Sequence, residues 1–361
     1  MTGFSLLELM LALLLGVVVV AGIVRLFVGN SRTYDVVNAQ SRLQENARYA
    51  FEFITEAARN AGYYGCAPER DFIIKGLVGA WNNIPEYNLS EPVGGYEALG
   101  GGNFAPSNLL TLPRSEGGVD TNVHQPGQGI DTTVLDPQSD LVVFRSARQP
   151  LAHLAAVLQP DGDPVVYTPG GQPAFAVDDV VVVADCEQAA MFRVTAATAS
   201  GDQTVLAHAT TEGGSNFNNA DTVLTLGGEI LPATLSVLGR SYGVSATVGL
   251  LQSTYFFIAP STAANLVGET INALWRKQGA AAPVELVQGV DGMQIHYGID
   301  TLVDGRANVS RYVTIDGVTD PQRIVAVRVR LDITSPDDLA EVGDRLRRSF
   351  TKTIAIRNTG V

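Results

Sequence analysis

Residues 3–27 read GFSLLELMLALLLGVVVVAGIVRLF. From Phe4 to Val28 the only acid is Glu8 and the only base is Arg25. As a helix these 25 residues would reach about 37 Å at ~1.5 Å per residue, enough to cross a hydrocarbon core ~30 Å thick. A secretory signal peptide shows a basic start and a small-x-small cleavage site after its apolar run. Neither is present, so the run is expected to be retained. A plain signal anchor accounts for the leucines and valines but not for Glu8, because a carboxylate at the centre of a bilayer costs roughly 2.5–3.5 kcal/mol even on lenient insertion scales.

The helical pattern continues past the apolar run. In residues 30–62, Val36, Ala39, Leu43, Ala47, Ala50, Ile54, Ala57 and Ala61 recur at spacings of three and four, which is one helical stripe. Arg42, Glu45, Arg48, Glu52 and Glu56 sit off it. No proline interrupts residues 4–61, and Gly62 supplies a stop. Small residues dominate the stripe, so its partner comes close. A coiled-coil dimer is one partner. The chain's own sheet is the preferred one, because the stripe covers fewer than four heptads and a β-rich region follows.

Strand signals appear at 139–147, 179–186, 191–198 and 253–259. In 293–299, Met293, Ile295, Tyr297 and Ile299 alternate with polar residues or glycine. In 324–333, Val325, Val327, Val329, Leu331 and Ile333 share one face, while Arg328, Arg330 and Asp332 point the other way. This is the pattern of half-buried antiparallel strands. Residues 67–138 show few periodic segments and several glycine clusters, and are read as irregular. The expected fold class is α+β, with a long N-terminal helix packed on an antiparallel β-sheet. The expected divisions are 1–3, 4–28, 29–62, 63–138 and 139–361. The net charge of −13 argues against a broad nucleic-acid footprint. Residues 301–361 alone hold 10 Lys/Arg against 8 Asp/Glu, a mildly basic end.

The run Gly3-Phe4-Ser5-Leu6-Leu7-Glu8-Leu9-Met10 resembles the class III signal of type IV pilins and type II secretion pseudopilins. Residues 41–66, ending in AGYYGC, resemble PilW-type minor pilins, as do 180–194, 284–300 and TKTIAIRN (351–358). The resemblance implies a leader of residues 1–3, prepilin cleavage between Gly3 and Phe4, and N-methylation of Phe4. It also implies a filament in which Glu8 meets the Phe4 amine of a neighbouring subunit. Such a pair attracts strongly away from water, and either charge left single is costly. Phe4 and Glu8 are also i and i+4, so the amine can pair within its own chain before assembly. Two departures stand out. The leader is Met-Thr-Gly, without the family's usual basic residue, and Arg25 stands where major pilins often carry a helix-bending proline. A straighter helix is expected.

The resemblance implies a non-enzymatic minor pilin that primes type IV pilus assembly and sits at the pilus tip, supporting adhesion and twitching motility. Its partners would be other minor pilins, a PilY-type tip adhesin, the major pilin and the prepilin peptidase. It would first lie in the inner membrane, with its C-terminal domain in the periplasm. The alternatives are a minor pseudopilin of type II secretion and a signal-anchored periplasmic binding domain. In an oxidising periplasm the two cysteines, Cys66 and Cys186, allow one intramolecular disulfide. Two unrelated buried thiols are the other reading.

Other motifs carry less. Gly239-Arg240-Ser241-Tyr242-Gly243 matches the nucleophile elbow G-x-S-x-G, but the sequence after it reads as β where that motif needs a helix. The four histidines, His124, His153, His208 and His296, are far apart. Asp161-Gly162-Asp163 and NFNNAD (216–221) are oxygen-rich turns that do not fit a calcium loop. No phosphate loop or dinucleotide fingerprint occurs. No catalytic residue, metal or cofactor is expected.

Overall fold

The computed structural model describes residues 6–66, 73–78, 91–105, 135–148, 151–177, 179–209, 218–225, 238, 240–279, 281–302, 306–336 and 345–358. The helix Leu6–Asn60 runs unbroken for 55 residues, about 82 Å at ~1.5 Å per residue. It passes Arg25 without a break. Its two halves differ sharply. Every large apolar side chain from Leu6 to Phe27 is 54–77% exposed within the chain, whereas Leu43, Ala47, Ala50, Ile54, Ala58 and Ala61 are at most 4% exposed. That buried series follows a spacing of 3.6 residues. It takes in Ala58 rather than the expected Ala57, and adds Phe51. Val36 stays exposed, so packing begins near Leu43. Thr55 sits within the buried face and satisfies its hydroxyl on the Phe51 carbonyl one turn back.

The partner of this face is the chain's own sheet structure. A four-stranded antiparallel sheet places Val290–Ile299 and Ile324–Thr334 at its centre, with Arg311–Val313 and Arg347–Ala355 at its edges. Met293, Ile295, Tyr297 and Ile299 and, opposite them, Val327, Val329, Leu331 and Ile333 form one core with the helix. His296, Arg328 and Arg330 lie on the outer, exposed face. The alternation read from the sequence is what the strands show.

Among the described residues the larger sheet has eleven strands built around Thr247–Ala264. The first part of this strand pairs with Val180–Ala184. Its later part pairs with Leu141–Ala147 on one side and Thr270–Gln278 on the other. Val142, Phe144, Phe256, Ile258 and Leu274 from this sheet complete the core around the helix. A three-stranded sheet, Val165–Tyr167, Ala196–Ser200 and Gln203–Ala207, covers a second core with Phe192 and Tyr242. All described pairings are antiparallel except Ile73–Val78 with Ala189–Arg193. Residues 67–138, read from sequence as irregular, contribute three strands: Ile73–Val78, Val93–Gly100 and Asn103–Ala105.

Candidate functional site

The functional candidates sit along one helix. Glu8 lies in the exposed apolar half, in the first described turns. Gly3 and Phe4, the expected cleavage and methylation positions, lie outside the described residues. The helix contains an 18-residue window of mean hydropathy 2.8 with none of it buried inside the chain. By length and composition this half suits a membrane span, and its leucines and valines need a cover that the described residues do not supply.

The other end of the helix is fixed in several independent ways. Gly62 adopts φ +77°, the left-handed conformation that ends helices at low steric cost. Its N–H donates to the Arg145 carbonyl at 2.8 Å, and the Ala147 N–H donates to the Tyr63 carbonyl at 2.7 Å. Both contacts tie the exit to the strand Leu141–Ala147. The Asn358 amide donates to the Ala61 carbonyl at 3.1 Å, which ties it to the chain leaving the four-stranded sheet. A Cβ on Gly62 would lie 2.5 Å from the Asn358 carbonyl oxygen, and one on Gly65 would lie 2.6 Å from Ala184 Cβ. Tyr64 is buried against Val180, Val182 and Met191. Cys66 then bonds Cys186, just past the strand Val180–Ala184. The residues AGYYGC thus form a compact junction between the helix and both larger sheets. Sequence reading identified Gly62 as a stop and paired the cysteines. It gave no role to Gly65 or Asn358, whose importance comes from distant chain segments.

Along the helix, the Asn46 amide donates to the Gln288 carbonyl at 3.2 Å. The Arg276 guanidinium lies 5.6 Å from the centre of the Phe53 ring, and the Lys352 ammonium 6.0 Å from that of Phe51. These cations screen the edges of the helix–sheet contact from water.

Two groups of charges flank the four-stranded sheet. On its outer face Asp332 pairs with Arg330 at 3.2 Å and Arg347 at 3.4 Å, and Arg328 stacks on the Tyr312 ring at 3.7 Å. Burial alone would raise the Asp332 carboxyl, but the Ser349 hydroxyl and the two guanidiniums hold it below the usual carboxylate range. At the corner where Val93–Gly100 meets this sheet, Asp140 is buried and accepts N–H bonds from Ala98 at 3.0 Å and Ile295 at 2.8 Å. Burial outweighs those bonds and raises its pKa. Glu97 nearby is pushed up to about 7 by burial, with the Asp140 and Asp316 charges adding to it.

The remaining sequence candidates are not brought together. Ser241 is exposed and is followed by the strand Thr247–Ala264, not by the helix an elbow requires; Gly239 lies outside the described residues. The His208 ring is within 3.0 Å of the Gly162 carbonyl and 3.9 Å of Asp163, which makes it part of a packed turn. His153 and His296 are exposed. His124 and the side chains of 216–221 lie outside the described residues. Among the described residues no group of three or more His, Cys, Asp or Glu is placed to hold a metal ion.

Fold and site define an α+β protein in which one membrane-length helix is exposed over its first half and buried on an antiparallel sheet over its second. Within that class, the family model of type IV pilus-assembly protein W matches residues 255–342. This match supports a PilW-type type IV pilus component, and with it involvement in type IV pilus assembly. The matched residues run from the later part of Thr247–Ala264 through Ile324–Thr334. They include Val290–Ile299 and Ile324–Thr334, which share the core of the helix, but not Leu141–Ala147 or Arg347–Ala355, which also lie against it. No curated protein and no solved structure matches the chain.

Proposed function

We propose that the chain is a non-enzymatic minor pilin that primes type IV pilus assembly and is carried to the pilus tip. In this reading residues 1–3 are a leader cut after Gly3 and Phe4 becomes the methylated N-terminus. Residues 4–28 hold the protein in the inner membrane, and the stalk 29–62 carries a periplasmic domain spanning 63–138 and 139–361. On assembly the apolar half leaves lipid and packs among the helices of neighbouring subunits, where Glu8 pairs with a neighbour's Phe4 amine. Partners are other minor pilins, a PilY-type tip adhesin and the major pilin, with the prepilin peptidase acting first. Adhesion and twitching motility follow from the tip position.

The single observation that carries this reading is the division of one helix. Its second half is buried on sheet structure whose strands Val290–Ile299 and Ile324–Thr334 fall within the residues that the PilW family model matches, while its first half exposes apolar residues and one acid. A tether would explain the apolar residues but gains nothing from the acid. The test is Glu8→Ala in cells lacking the native gene. Membrane insertion should persist, because the change removes only the polar group from an apolar segment. Pilus number and twitching should fall strongly. Full complementation by Glu8→Ala would remove the assembly role of the charge. Intact-mass measurement on pilus-associated protein should show a chain beginning at methylated Phe4; retention of Met1-Thr2-Gly3 would overturn the processing step.

A further inference from the structure

Outside the N-terminal helix, the most exposed large apolar side chains among the described residues are Leu266 at 88% and Val267 at 72%. They sit together at the apex of the hairpin joining Thr247–Ala264 to Thr270–Gln278. The apex is a built turn. Asn265 Oδ1 accepts from the N–H groups of Val267 at 3.2 Å and Glu269 at 2.7 Å, and Asn265 Nδ2 donates to the Glu269 carboxylate at 3.1 Å. The Gly268 N–H donates to the Asn265 carbonyl, with Gly268 at φ +83°. Polar side chains are thus turned into the turn, and an apolar pair is held outward.

The direction of this hairpin follows from its contacts with the helix. Arg276 lies over Phe53, and Gln288, which pairs with Ala273, meets Asn46. Moving from Arg276 to Ala273 is therefore moving along the helix towards its N-terminus. Beyond Ala273 the strand and turn continue for about 16 Å, at ~3.3 Å per strand residue and less around the turn. From Asn46 to Val28, the last residue of the apolar run, the helix spans about 27 Å at ~1.5 Å per residue. The apex therefore stops about 11 Å short of the level of Val28. A bilayer's headgroup layer fills roughly 5–7 Å of that on each side of the hydrocarbon. The outward leucine side chain covers much of the rest.

We propose that the turn Asn265–Glu269 rests Leu266 and Val267 on the surface of the bilayer that the chain's own helix crosses. This inference rests on the reading of residues 4–28 as the membrane segment. The contact gives the domain a second foothold beside the helix and so sets its tilt before assembly. Lipid is the occupant argued for because the apex points along the helix towards the membrane segment and stops about 11 Å short of its end, a gap that the headgroup layer and the outward side chains fill.

The test uses the full chain in phosphatidylcholine vesicles, spin-labelled in turn at Leu266→Cys, Leu14→Cys and Val244→Cys. Val244 is exposed and precedes the opposite end of the same long strand, roughly 60 Å from the apex at ~3.3 Å per residue. Collisions with oxygen report lipid, and collisions with a water-soluble nickel chelate report water. The expected result is a Leu266 label protected from nickel severalfold relative to the Val244 label, with raised oxygen access, and a fully protected Leu14 label. Equal nickel access at 266 and 244, with 14 protected, overturns the hairpin contact and leaves the membrane reading intact. Nickel access at 14 overturns the membrane reading and the hairpin contact with it. A 266 label shielded from both reagents means contact with another protein chain and also overturns the lipid proposal.

Discussion

Leu14 and Ile54 belong to one uninterrupted helix, yet Leu14 is 63% exposed and Ile54 fully buried. The two halves also differ in what they are made of. The first is leucine and valine on all sides, a composition that suits a uniform apolar surrounding. The second is an alanine stripe between charged flanks, which suits one face laid closely on a sheet. Hydrophobicity alone does not separate a helix meant for its own domain from one meant for lipid or for other subunits. The angular distribution of apolar residues, and their size, does.

The largest expected break in this comparison lies at the junction that anchors the second half. The Cys66–Cys186 bond closes a separation of 120 residues. The chain-entropy model assigns such a loop roughly 5 kcal/mol, an upper figure because residual unfolded structure reduces it. Cys66→Ser and Cys186→Ser should lower the melting temperature of the full chain in detergent by similar amounts. The double substitution should be little worse than either, since all three lose the same bond. Additive losses would show that the two side chains stabilise the fold separately.

A direct comparison of the halves comes next. Ile54→Ala should cost about 2–5 kcal/mol, the usual range for truncating a fully buried branched side chain. Leu14→Ala should leave the unfolding of the domain unchanged, because Leu14 is 63% exposed and none of the described residues of the domain covers it. Equal effects from the two would mean that the first half also packs on the domain. A smaller loss, about 1–3 kcal/mol, is expected for Gly62→Ala, which combines a left-handed backbone with a clash on the Asn358 carbonyl. Asn358→Ala should soften that penalty only slightly, because the clash is with backbone.

Much of this division was legible in the sequence. Period and size marked both halves of the helix, Gly62 marked its end, and strict alternation marked the two central strands of the small sheet. What escaped did so for physical reasons. Val93–Gly100 reads VGGYEALG, and its glycines look like loop. Yet the Tyr297 hydroxyl lies 1.8 Å from where a Cβ of Gly95 would be. Glycine is used there so that a buried tyrosine can reach the strand, and no local pattern announces such a contact. The strand Thr247–Ala264 was read only over 253–259, its continuously buried, aromatic-rich middle; the flanks that escaped carry Gly249, Pro260 and small residues such as Ser261 and Ala263, which give no strand signal of their own. Among the candidate site residues, Glu8 and the cysteine pair stood out as chemistry misplaced in apolar or unpatterned surroundings. The apolar apex Leu266-Val267 did not, because two exposed hydrophobic residues in a turn are unremarkable until their direction is known.

The smallest expected effect concerns how the domain treats a carboxylate, in contrast to Glu8 on the exposed helix half. Glu97 sits beside Asp140 and Asp316, and its carboxyl is pushed up to about 7 from an ordinary value of 4.5. A raised carboxyl pKa means that the folded state binds the proton more tightly than the unfolded state does. Folding stability from this group is therefore present below the unfolded value and falls as pH rises from about 4.5 to about 7, levelling off above that. Asp140, raised in the same direction by burial, reinforces the slope. Asp332, held low by the Ser349 hydroxyl and its two arginines, acts oppositely and costs stability only in more acid solution. Glu97→Gln keeps the shape and removes the titration. The variant should gain stability over the parent at pH 8 and lose that advantage near pH 4.5, with the difference growing between those limits. Because Glu97 is only partly buried, solvent screening should keep the gain modest. Melting curves of both chains in detergent from pH 4.5 to 8 decide the matter. A pH-independent difference would mean that Glu97 acts through packing or hydrogen bonding, and that its charge is not opposed by the neighbouring acids.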